Sequence, residues 1–122
     1  MDAANRSVIA YIAGRLITGA DAWWMQDHDR GHRVHFEGFF EPGVIKVYSH
    51  ELHSHVSGVG GDGKYTLFQH GVGGAVDLLV NLEEQTFSGW EHLSGFHFFG
   101  DVADRTIRLY DYQGMEWHLY TI

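Results

Sequence analysis

Cysteine is absent from these 122 residues. That excludes disulfides, thiolate nucleophiles and cysteine-ligated zinc, and says nothing of the compartment. Basic residues are scarce: eight Lys and Arg stand against sixteen Asp and Glu, for a formal charge of −8. Such a chain does not suit nucleic acid, whose phosphates need a basic face, nor an anionic membrane surface. No apolar run approaches the ~20 residues of a spanning helix. Proline occurs once, at Pro42. A leader peptide is suggested only by the cleavage-like triplet Ala20-Asp21-Ala22. Asp2 and Arg15 do not suit one, so the cytoplasm is the expected location.

What is present is glycine and aromatic side chain. The sixteen glycines fall between short apolar runs, and a turn signal about every ten residues is the mark of antiparallel strands. Residues 1–22 differ. In "NRSVIAYIAGRLITGAD" the apolar residues Val8, Ile9, Ile12, Ala13, Leu16 and Ile17 have helical spacing. Asn5 or Ser7 is placed to cap this helix and Gly19 to end it, while Gly14 weakens it but admits a close neighbour. The expected fold is mainly β and a single domain over residues 1–122. An N-terminal α-helix (1–22) precedes an eight-stranded antiparallel meander (33–121), closed as a barrel or strongly curled. The expected strands are 33–40, 44–56, 64–70, 75–82, 85–92, 95–102, 105–112 and 115–121. No internal repeat of fixed period is evident.

The turns set a register, because a one-residue slip exchanges the faces of a strand. One apolar face then runs through Val34, Phe36, Ile45, Val47, Tyr65, Leu67, Val76, Leu78, Phe87, Phe98, Ile107 and Leu109. With Gly114 left-handed in a three-residue loop, Met115, Trp117 and Leu119 join it. This face is the expected interior.

"SHELHSH" asks whether its histidines bind metal. On one strand His53 and His55 share the interior face, roughly 6.5 Å apart, and His50 points away. Glu51, Gln69, Glu91 and Asp111 fall in one layer of the same face, with His53 one step deeper. Carboxyls crowded on an apolar face push one another's pKa values apart, which is how a site obtains an acid and a base at neutral pH. The same layer also fits the wet rim of a barrel mouth.

Three functions follow. The first is a small-molecule-binding barrel, whose catalytic form would be an acid–base enzyme of isomerase, cyclase or lyase type. Glu51 or Glu91 would be the base, His53 the acid or orienting group and Asp111 its neighbour, with Tyr65, Gln69, His55 and Trp117 against the ligand. No cofactor is implied. The second is a non-enzymatic interaction module, with a homodimer as the expected state. The opposite sheet face carries Tyr48, Phe68, Trp90, Phe99, Tyr110 and Tyr120, more aromatic surface than a monomer usually exposes. The third is a metal protein using His53 and His55. The second histidine cluster, His28 and His32, reads as a solvated loop because Gly31 interrupts it. Trp23 and Trp24 are expected to pack the helix end onto the sheet.

In residues 86–122, "SGFHFFG" is followed by "IRLYDY" and an aromatic-rich last strand. This pattern resembles one in small bacterial β-sheet proteins of uncharacterised activity. It is made of turn and strand residues, so it implies a shared fold and carries no activity to any residue here.

Overall fold

The computed structural model describes every residue, Met1–Ile122. Helix α1 spans Ala3–Thr18. Ten strands follow: β1 (Trp24–Asp27), β2 (His32–Glu41), β3 (Val44–Ser49), β4 (Ser54–Gly61), β5 (Lys64–Gln69), β6 (Gly74–Asn81), β7 (Thr86–Glu91), β8 (Phe96–Ala103), β9 (Thr106–Asp111) and β10 (Glu116–Thr121). Each pairs antiparallel with the next, and β1 pairs with β10, so the barrel is closed and has no free edge. The count exceeds the expected eight for two reasons. Residues 44–56 are two strands, because His50–His53 is a hairpin loop, and the short β1 carries too few residues to show a period.

The helix lies in the bore. Val8, Ile9, Ala10, Tyr11, Ile12 and Ala13 are all 0% exposed, so α1 is buried on every side. A helix apolar all round is a core element. A ten-stranded barrel is wider than the eight-stranded kind that side chains alone can fill, and one helix, ~10–12 Å across, occupies the remainder. Asp2, and not Asn5 or Ser7, caps its start, accepting from the Asn5 amide at 2.8 Å. Gly19 ends it as expected, with φ 68°. Gly14 does admit a close neighbour: a Cβ there would lie 2.4 Å from Ile107 Cδ1. At the far end Arg15 donates to the Tyr11 hydroxyl at 2.7 Å and covers the Phe40 ring at 4.4 Å. No helix is long and apolar enough to cross a membrane.

The barrel is built from a repeat that the sequence hides. Asp27, Ser49, Gln69, Glu91 and Asp111 are each the last residue of an odd-numbered strand, 20 or 22 positions apart. A four-residue loop follows each, whose fourth residue is left-handed: Gly31, His53, Gly73, Gly95 and Met115. Only two glycines of that set are replaced, by His53 and Met115. A chemically varied set of residues satisfies one backbone rule, which is why no fixed period can be seen in the letters.

The expected interior face is correct in β2, β3 and β5 to β9, but not at His53 and His55, which lie outside it. It fails in β10. The last loop has four residues and not three, Asp111 pairs with Glu116, and Met115 instead of Gly114 is left-handed. His118, Tyr120 and Ile122 therefore point inward, and Trp117 and Leu119 outward.

Candidate functional site

The five strand-end residues form a polar ring around the start of α1, and all are buried. Asp27 accepts from the amides of Asp29 and Arg30 at 3.0 and 3.1 Å, and from Arg30 Nε at 2.6 Å. Ser49 accepts from the Leu52 amide at 3.2 Å. Gln69 donates to Asn5 Oδ1 at 3.4 Å. Asp111 accepts from the Gln113 amide at 3.0 Å and lies 3.8 Å from Arg6 Nη1. Glu91 and Asp111 are each 3.6 Å from the Met1 nitrogen. These contacts close the loops and fasten the helix to the wall. The layer expected from the sequence is thus present with Gln69, Glu91 and Asp111, and Asp27 and Ser49 complete it.

Glu51 and His53 do not belong to it, because they sit in the β3–β4 loop. Arg30 grips Glu51 with two bonds of 2.7 and 2.9 Å. Partial burial works against the Arg30 charge, but the bonds to Glu51 and Asp27 outweigh it and push its pKa up. His53 is exposed, and His55 lies on the outer face of β4 against the Tyr48 ring at 4.9 Å. His53 and His55 therefore do not share an interior face, and no group of three or more His, Asp or Glu is placed to hold a metal ion. Tyr65 does point inward, but it packs against the core. Trp117 is outside and 48% exposed. Of the expected pocket residues, Glu91 lines a depression of about 410 Å³ beside the helix start, together with Asp2, Asn5, Ser94 and Gln113.

The histidines that follow the ring residues have a repeated structural use. His28 meets Thr121 at 2.7 Å, His50 meets Glu37 at 3.2 Å, His70 meets Ser57 at 2.7 Å and His92 meets Asp77 at 2.9 Å. Each ties a loop to the neighbouring strand. His28 belongs to a surface loop as expected. Trp23 and Trp24 do not pack the helix end. Trp23 is largely exposed, and Trp24 lies on the outer wall under Arg33, 4.1 Å from its ring centre.

Two inward residues of β10 were missed through the slipped register. His118 is buried and its Nδ1 is hydrogen-bonded to Asp29 Oδ2. Burial pushes the Tyr120 hydroxyl up to about 12, with Arg6 opposing the shift and Asp27 and Asp29 reinforcing it. A folded-state pKa above the unfolded value of 10.0 means that this neutral hydroxyl contributes stability in full below pH 10. The contribution, at most ~2–3 kcal/mol, is lost as pH climbs from about 10 towards 12. Tyr120→Phe is expected to lose less stability than the wild type over that range. Melting curves at half-unit pH steps check this, and parallel declines would show that Tyr120 does not titrate late.

No protein-family model, curated protein or solved structure matches this chain.

The repeat of loop-to-strand contacts is broken at one of its five positions. At the fifth ring position the histidine is replaced by Tyr112, and the residue it meets on the neighbouring strand is Phe99 in place of a polar residue, 5.7 Å between ring centres. Tyr110 and Trp117 complete the cluster, 5.4 Å each from Phe99. Arg108 covers Trp117 at 5.1 Å and holds Asp101 through bonds of 2.9 and 2.6 Å. That guanidinium keeps the Asp101 carboxyl below the usual carboxylate range. Phe99, Tyr112 and Trp117 are all exposed.

Proposed function

We propose that this protein is a non-enzymatic interaction module that works through the aromatic outer wall of β8–β10. One observation carries the reading: among the equivalent loop-to-strand contacts of the repeat, one exchanges a polar pair for Phe99 and Tyr112, beside an exposed tryptophan. The other contacts show that the barrel closes without such rings. Exposed aromatic groups that the fold does not need are what binding surfaces use. An acid–base pocket of Glu51, His53, Glu91 and Asp111 has less support. The bore is filled by α1, Glu51 is held by Arg30, and His53 lies in an exposed loop.

If the rings serve binding, Tyr112→Ser and Trp117→Ser each change stability by less than ~1 kcal/mol, as surface substitutions do. Denaturant titration measures this. A loss of ~3 kcal/mol or more would place the rings in the stability of the barrel and remove the reading's support. A second copy of the chain, giving the homodimer expected from the sequence, is one candidate occupant. Light scattering at micromolar concentration detects it.

A further inference from the structure

Cross-strand register arranges the outer wall into two parallel rows. Lys64, Leu79, Ser88, Phe99, Tyr110 and Trp117 are successive direct partners from β5 to β10. Two residues further along the strands, Asn81, Thr86, Asp101 and Arg108 are likewise successive partners from β6 to β9. Partners directly opposite one another project from the same face. The first row is mostly apolar and aromatic, and the second is wholly hydrogen-bonding. Adjacent positions in a row are roughly 4.8 Å apart, and the rows are separated by roughly 6.8 Å.

Ser88 is the smallest side chain of its row and stands between Leu79 and Phe99. The wall dips there into an open groove of about 570 Å³, which takes in Asp62, Lys64, Asn81, Thr86, Ser88 and Asp101. The hydroxyls of Thr86 and Ser88 and the Lys64 ammonium make no hydrogen bond or ion pair within the chain. Asn81 uses only its carbonyl oxygen, which accepts from the Glu84 amide at 3.0 Å, so its amide donors are free. Asp101 is held in place by Arg108. Charge cancels locally, Lys64 against Asp62 and Arg108 against Asp101, although the chain carries −8.

We propose that this two-row wall binds a neutral polysaccharide chain laid across β6–β10. The proposal rests on the reading of the outer wall as a binding surface and names its partner. The apolar C–H faces of successive sugar rings lie on Leu79, Phe99, Tyr110 and Trp117. Their hydroxyls exchange hydrogen bonds with Asn81, Thr86, Ser88 and the Asp101–Arg108 pair. A polymer with a polar edge and an apolar face at a pitch of about one ring matches one position per strand. The local neutrality favours an uncharged chain over a polyanion, and the overall charge of −8 repels a second copy.

Native gels cast with glycogen, mixed-linkage β-glucan, xyloglucan or glucomannan test this, with pull-downs on cellulose and chitin. The wild type is expected to be retarded or captured by at least one of these. Phe99→Ala and the pair Thr86→Val with Ser88→Ala are each expected to weaken that binding roughly tenfold or more, with both variants still folded by circular dichroism. Binding to none of the six polymers overturns the proposal, as does binding that both variants retain. Binding only to heparin, run as the anionic control, overturns it too. A dimer that Trp117→Ser dissociates would make a second copy the occupant. That outcome overturns the polysaccharide but leaves the outer-wall reading standing, whereas a collapse of stability in Tyr112→Ser and Trp117→Ser removes both.

Discussion

Replacing Ile12 with aspartate is expected to leave the chain unfolded at 25 °C. Ile12 is fully buried within the bore, on a helix walled on every side by the barrel. The change forfeits ~1.5–3 kcal/mol of burial. It also places a carboxylate in an apolar interior, a cost of several kcal/mol or a forced protonation. Against a total stability of ~5–15 kcal/mol the sum is decisive. Far-ultraviolet circular dichroism and tryptophan emission report the loss. Ile12→Val, which keeps the shape, should cost only ~0.5–1.5 kcal/mol. If Ile12→Asp folds with a melting temperature near that of the wild type, α1 does not occupy the bore. The filled interior would then cease to count against an internal pocket.

The second large effect is expected at Gly100. Phe87 and Gly100 are direct partners between β7 and β8, as are Gly89 and Phe98. Each phenylalanine lies over the glycine opposite. A Cβ on Gly100 would stand 2.5 Å from Phe87 Cζ and 2.0 Å from the Arg108 carbonyl oxygen. A ring can turn aside, but the carbonyl belongs to the β8–β9 ladder and can move only if the sheet spreads. Gly100→Ala should therefore cost at least the ~1–3 kcal/mol usual for overpacking. Shortening the ring in the same chain, with Phe87→Leu, should recover little of it. Denaturant midpoints of the two variants and the double variant decide the matter. Full recovery in the double variant would make the ring, and not the backbone, the obstacle.

The two substitutions also separate what is legible in a sequence from what is not. Alternation of apolar residues between turns was enough for antiparallel strands and for the inward face of β2 and of β5 to β9, since a period of two survives small errors in turn length. At the first hairpin the turn is Pro42-Gly43, and Val34, Phe36, Ile45 and Val47 keep the inward face expected of them. The last hairpin lengthens on one side only, and every side chain of β10 exchanges faces. That single slip hid His118 and Tyr120 and put Trp117 inside. Glu51 and His53 were misplaced for a related reason. "HELH" alternates like a strand, yet it occupies the loop position that the other repeats give to "HDRG", "HGVG", "HLSG" and "YQGM".

By itself the sequence determined the local matters: where the chain turns, that α1 is a helix ending at Gly19, and that Gln69, Glu91 and Asp111 share a level. Each depends on residues near one another along the chain. The tertiary structure alone decided that the helix is inside the barrel, that ten strands close around it, and that the aromatic rings of β8–β10 gather into one exposed patch. The first two depend on closure between β1 and β10, residues nearly a whole chain apart, and the third on the exact length of the last hairpin loop. No local pattern encodes the width of a bore, because that width follows from the number of strands and their stagger once the sheet meets itself.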